Sequence, residues 1–299
     1  MKTVYSEKHV LRNPDTELAG GQLVPPYECA SRAEIVKAAI QRVGLGPIVA
    51  PQEQERNRLA TLHDADYLAF LETAWDRWQA AGYQGEAIPS VWPARRMTDR
   101  VPREIEGLLG YYAFAAETSI SAGTWDAACA SADVAMTAAQ LVATGENCAF
   151  ALCRPPGHHA ARDLYGGYCF LNNAGLAAQM LLDGGASRIG LIDVDFHHGN
   201  GTQDVFYDRE DVLFVSIHGS PEEAFPHYMG YADETGTGAG EGFTLNLPLP
   251  PGTGWTAYSE ALETACQRLT DFAPDGLVVS LGVDTFKGDP ISFFTLESE

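Results

Sequence analysis

Arg188-Ile-Gly-Leu-Ile-Asp-Val-Asp-Phe-His-His-Gly-Asn-Gly201 opens as an apolar run and breaks into acids, imidazoles and glycines. A run of Ile and Leu that does not alternate with polar residues reads as a strand buried on both faces, the mark of a parallel sheet. Where such a strand stops, ligands bind, because the crevice of an open α/β sheet lies beyond the carboxyl ends of its strands. Asp195 and His197 are two residues apart, a spacing that near a strand end turns both side chains to the same side.

Working outward, helix-like and strand-like segments alternate. Helical patterns run over Arg32–Val43, Asp66–Ala81, Asp126–Ala143, Asn172–Leu182 and Trp255–Leu269. Apolar strand-like runs fall at Val4-Tyr5, Pro47–Ala50, Cys148–Cys153, Arg188–Asp193, Val212–Ile217 and Gly276–Val283. The alternation predicts one α/β domain over residues 1–299, with a predominantly parallel central sheet flanked by helices. Two stretches, Gly82–Pro102 and Gly219–Gly242, carry too much Gly and Pro for regular elements and read as long loops, which in compact domains are often functional.

Two further strands end in chemistry. Leu277–Val283 leads to Asp284, and Cys148–Cys153 leads through Arg154-Pro-Pro-Gly to His158-His159. Taken singly, Asp195 and Asp284 read better as helix caps, and His197 as a hydrogen-bonded polar residue. Jointly, two carboxylates and an imidazole at strand ends suit a divalent metal with a position left open for water. Zinc fits that set, and iron or cobalt would be accommodated. The histidine pair supplies imidazoles able to take and return protons near neutral pH.

The runs RPPGHHA, GGYCFLNNA, DVDFHHGNGTQ and SLGVDTF, in this order, resemble the histone-deacetylase-like family and its arginase–deacetylase fold, over essentially the whole chain. The resemblance implies that Asp195, His197 and Asp284 are the zinc ligands. It implies that His158 and His159 form the tandem catalytic pair, backed by Asp193 and Asn200, the asparagine making His159 less basic than an aspartate would. Zinc would acidify a water and polarise an acetamide carbonyl, with His159 most readily the base and His158 giving electrostatic support or, in an alternative assignment, the proton. Structural potassium is also implied: one ion at oxygens of Asp193, Asp195, His197, Ser216 and Ile217, another near Phe206, Arg209, Val212 and Phe243.

The amino-terminal runs TELAGGQLVPP, FLETAWDRWQAAGY and GEAIPSVWPARR resemble the acetylpolyamine amidohydrolase branch. That branch implies a loop insertion at 82–102 that narrows the substrate channel and a homodimer built around the loop; the loop's own residues agree, since a monomer is expected to expose Trp92 and several apolar neighbours. Glu106 and Glu117 are candidates for meeting distal ammonium groups, though each reads equally as a solvated acid. Phe225 resembles an aromatic wall along the substrate's methylene chain, and Tyr168 a channel residue. A protein lysine deacetylase, a binuclear manganese hydrolase and a non-catalytic acetyl-amine binder remain alternatives. The family also carries a transition-state tyrosine in a second Gly-Gly-Tyr beyond the last zinc aspartate. Here the only Gly-Gly-Tyr ends at Tyr168 and Glu299 lies 15 positions past Asp284, so a carboxy-terminally incomplete, catalytically impaired copy is expected.

Composition narrows the partners. With 19 Lys+Arg against 40 Asp+Glu the formal charge is −21, which argues against nucleic acid and favours small cationic ligands. No apolar run is long enough to span a membrane, and MKTVYSEKHV is unlike a secretory signal, so a cytoplasmic protein is expected. Six scattered cysteines form no CxxC pair; most are expected as buried, reduced thiols.

Overall fold

The computed structural model describes residues 1–298, and the chain divides into two compact units, Met1–Leu176 and Ala177–Glu299. The first unit holds β1 (Lys2–Val4), β2 (Glu17–Ala19), β3 (Gln22–Val24), α1 (Ala30–Val43), β4 (Ile48–Val49), α2 (Ala65–Ala80), α3 (Ile105–Tyr111), α4 (Thr124–Ala143) and β5 (Ala149–Ala151). β1 lies between β4 and β5 in a parallel three-stranded sheet, and β2 pairs with β3 as an antiparallel hairpin. Alanine at most turns makes α4 a thin, strongly helix-favouring rod. Val134 and Ala138 pack with Val4 of β1 into a small apolar cluster. α1 stops where Gly44 takes a left-handed conformation (φ 65°), the usual glycine ending of a helix.

α5 (Asn173–Asp183) crosses the division. The second unit then holds β6 (Ile189–Asp193), α6 (Asn200–Phe206), β7 (Val212–Gly219), β8 (Thr244–Leu249), α7 (Trp255–Phe272) and β9 (Gly276–Ser280). Its sheet has the order β8-β7-β6-β9, parallel throughout. Every residue of β6 and β7 is buried, in keeping with strands dominated by Ile, Leu, Val and Phe that do not alternate with exposed polar residues. α7 lays Tyr258, Ala261, Ala265, Leu269 and Phe272 against Ile192, Leu213, Val215 and Ile217 of those strands. These α7 positions fall on one helical stripe. Phe196 joins the same core, its ring edge-on to Phe293 and Phe294 at 4.6 and 4.8 Å. The segment leaving β6 is therefore anchored in the apolar core at Phe196, between Asp195 and His197.

The expected parallel α/β architecture is present as two parallel sheets. Helix and strand positions agree to within a few residues, and 82–102 contains no helix or strand of its own. The β2–β3 hairpin, α3, α6 and β8 add to the expected elements. They are short, or lie in polar and Gly-rich sequence whose apolar period is too brief to read. Trp92 is half-buried, not exposed, while Val91, Met97 and Val101 in the same loop are exposed. The cysteines also need correcting. All six are free thiols, but only Cys129 and Cys169 are buried, whereas Cys148, just before β5, and Cys266, within α7, are exposed. No helix among the described residues is long and apolar enough to cross a membrane.

Candidate metal centre and histidine pair

β6 and β9 are hydrogen-bonded neighbours with Asp193 opposite Ser280, so Asp195, His197 and Asp284 all follow the carboxyl ends of adjacent strands. Their ligand atoms lie within 4.8 Å of one another. His197 Nδ1 is 2.8 Å from Asp284 Oδ2 and 3.3 Å from Asp195 Oδ1. Main-chain donors hold both carboxylates: His197 N–H donates to Asp195 at 2.8 Å and Phe196 N–H to Asp284 at 2.8 Å. Asp193, fully buried, accepts the Asp195 N–H at 3.1 Å. These bonds hold the three side chains in place, and a donor set of two carboxylates and one imidazole fits a divalent metal.

The protonation of the cluster says the same. Burial alone lowers the pKa of His197, but hydrogen bonds to Asp195 and Asp284 and their negative charge overcome it and push the imidazole up to about 10. Asp284 is raised from the ordinary carboxylate range, first by burial and then by the charge of Asp195. The two carboxylates favour a positive charge at this point, and the raised imidazole reflects that. Gly282 closes one side of the cluster. A methyl there would lie 2.6 Å from the Asp195 Cα and nearer still to its carboxylate.

Two more residues of the second unit stand in expected places. The Phe225 ring, half-buried, is edge-on to His197 at 6.1 Å between centroids. Asn200 is buried at the first turn of α6, its N–H donating to the His198 carbonyl at 2.9 Å. His198 belongs to a buried polar cluster with Gln203 (3.0 Å) and Asn246 (3.1 Å), and Gln203 donates to Glu234 at 2.7 Å. That cluster ties the 220–242 loop, which carries Phe225, to α6 and β8. Its members are up to 48 residues apart in sequence and give no local signal.

In the first unit, His158 and His159 are both buried, with ring centroids 4.0 Å apart. The turn Gly166-Gly167-Tyr168 has positive φ at all three residues. Gly167 packs so tightly on His159 that a methyl would stand 2.6 Å from Cγ and closer to Cδ2, so no larger residue fits. Left-handed Tyr168 (φ 67°) costs about 1–3 kcal/mol and must be held in place by its neighbours. Glu117, half-buried, accepts the Gly167 N–H at 2.7 Å, and Thr118 Oγ1 accepts the Tyr168 N–H at 2.7 Å. Glu106 stands apart, exposed on α3, accepting from Tyr83 at 3.3 Å and Ser90 at 3.4 Å.

A histone deacetylase domain model matches residues 26–299. The chain belongs to the histone deacetylase domain family. Among curated members, the acetylpolyamine amidohydrolase of Mycoplana ramosa is 57% identical over 298 residues, covering 100% of this chain and 87% of that protein. Acetylpolyamine amidohydrolase 1 of Pseudomonas aeruginosa is 52% identical over 300 residues, again covering 100% and 87%. A crystal structure of the acetylpolyamine aminohydrolase from Burkholderia pseudomallei superposes with a TM-score of 0.94 at 38% identity, covering 99% of this chain and 85% of that one. The fold of this family member is thus that of known deacetylases.

Proposed function

We propose that the chain is a metal-dependent deacetylase that hydrolyses small acetylated polyamines. The carboxylate–imidazole–carboxylate cluster at the ends of β6 and β9 carries the reading, and the polyamine substrate is supported by relatives of that name at 49–57% identity. Asp195, His197 and Asp284 would hold zinc, with iron or cobalt as alternatives. A divalent ion there supplies an acidified water and a polarised amide carbonyl. Potassium ions at main-chain oxygens around Ser216 and Ile217, and around Phe206 and Val212, belong to the same proposal.

The chain's own residues supply proton handling. His158 and His159, both buried with ring centroids 4.0 Å apart, are the two imidazoles placed to take and return protons. His159 takes the proton from water and returns it to the leaving amine. His158 supplies electrostatic support, and Asp193 and Asn200 tune the two rings. Phe225 and Tyr168 flank the methylene chain, while Glu117 and Glu106 face the distal ammonium groups. A net charge of −21 attracts such cations and repels nucleic acid. Exposed Val91, Met97 and Val101 in the 82–102 insertion supply a surface for a homodimer. Free cysteines suit the reducing cytoplasm.

Side-by-side turnover of acetylputrescine, acetylspermidine and an acetyl-lysine histone peptide by zinc-loaded protein tests the substrate class. The polyamines should be preferred, by a margin that shrinks in high salt as steering is screened. Equal or faster turnover of the peptide would assign the protein to lysine deacetylation instead.

A further inference from the structure

Glu17, the first residue of β2, is a carboxylate only 4% exposed in a chain whose other acids mostly face water. Burial raises its pKa above the ordinary glutamate range. Both oxygens are engaged. Oε2 accepts the main-chain N–H of Tyr27 at 2.9 Å, and Oε1 accepts the Tyr168 hydroxyl at 2.8 Å. Burying a carboxylate this deeply is costly, and a bond to a phenol 151 positions away is an uncommon use for it.

The bonds around the 166–168 turn divide into two sets. Glu117 and Thr118 hold its main chain, accepting the N–H groups of Gly167 and Tyr168. Thr118 Oγ1 in turn donates to Glu117 at 2.9 Å, which stiffens that set. Those contacts keep Gly167 against His159 whether or not the phenol is anchored. Glu17 is the acceptor for the phenol itself. Its loss would free the half-buried ring of Tyr168 to swing about its side-chain torsions and leave the turn beneath it in place.

We propose that Glu17 is a specificity-determining positioning residue: it acts through Tyr168, pinning the aromatic ring to one side of the substrate path and leaving the histidine pair to be set by Glu117 and Thr118. The inference rests on the reading of Tyr168 as a substrate-flanking residue. It separates the anchor of the phenol, Glu17, from the support of the turn, Glu117 and Thr118.

Glu17→Gln, Tyr168→Phe and the double variant, each zinc-loaded, are compared with wild type for KM and kcat on acetylputrescine. Both single variants should raise KM about tenfold, the size of one lost charge-assisted hydrogen bond, with kcat within about twofold. The double variant should be no worse than the poorer single, since the two residues share one bond. A merely structural role would lower the fraction of competent protein, reducing kcat and leaving KM alone, and that result overturns the proposal. So do strictly additive effects. Hydrogen exchange at the Gly167 and Tyr168 amides gives a readout independent of turnover. It should match wild type in Glu17→Gln, and acceleration there would make Glu17 a support for the turn rather than for the ring. If Glu17→Gln does not fold, Tyr168→Phe alone decides, with raised KM expected and unchanged KM contradicting. If wild type hydrolyses only the acetyl-lysine peptide, the substrate reading fails and the same KM comparison is made on that peptide.

Discussion

Gly282→Ala is a probe of the metal centre that touches no ligand. Gly282 does not occupy the left-handed region, so alanine carries no torsional penalty there. The cost is purely steric. A Cβ would stand 2.6 Å from the Asp195 Cα, where real Cβ atoms do not approach below 3.0 Å, so the shortfall is about 0.4 Å and greater at the carboxylate. Metal sites tolerate ligand displacements of about ±0.2 Å. All the nearest atoms to the added carbon, Oδ2, Cγ and Cα, belong to Asp195, so Asp195 is the residue displaced. Zinc affinity should therefore fall by at least about 10²-fold, roughly 2.7 kcal/mol, exceeding the usual 10–100-fold effect of changing a residue that only orients a ligand. The assay is competition for zinc against a chromophoric chelator at fixed pH, alongside thermal unfolding in excess EDTA. The metal-free midpoint should move by only a few degrees. Zinc affinity within threefold of wild type would show that Asp195 is not a ligand or that the site is far softer than its hydrogen bonds imply.

Other outcomes follow from the same geometry. In the metal-free protein His197 is protonated up to about pH 10, so zinc uptake at pH 7 should release about one proton from it, and apparent affinity should climb about tenfold per pH unit until that pKa is passed. Calorimetry in buffers of differing ionisation enthalpy reads the proton count, and pH-independent affinity between 6 and 9 would contradict it. By the same sign, His197 stabilises the metal-free protein fully below about pH 6.5, and this contribution is lost as pH rises through about 10. Glu28→Gln breaks the buried ion pair in which Arg154 Nε donates at 2.8 Å, leaving a buried guanidinium without its counter-charge. About 3–5 kcal/mol of stability should be lost, measured by urea unfolding. Phe294→Ala empties a site that is 2% exposed beside Phe196 and should cost about 3–5 kcal/mol in the same assay.

The parallel sheets were legible because β6 and β7 are continuous apolar runs, a pattern that burial on both faces demands. That Asp195, His197 and Asp284 come together was legible for a related reason: Asp195 and His197 sit two apart at a strand end, and Asp284 follows the end of the neighbouring strand. What could not be read lies between distant residues. Nothing near Glu17 announces Tyr168, and nothing in a lone glycine at 282 says that its missing side chain makes room for Asp195. The role of Glu106 is the least supported by its surroundings, since an exposed acid on a helix looks alike in sequence whether or not a ligand meets it. The thiols mislead for a similar reason: apolar neighbours in sequence do not bury Cys148 when it stands at the entry to an outer strand of its sheet.

The most direct measurement is amine release from acetylputrescine by EDTA-stripped protein titrated with zinc, in wild type and in the His197→Ala/Asp284→Ala double variant. Activity in wild type should start near zero, rise linearly and level off at about one equivalent per chain, and the double variant should stay flat throughout. Turnover by the stripped protein, or zinc-restored activity in the double variant, would contradict a single metal centre at the ends of β6 and β9.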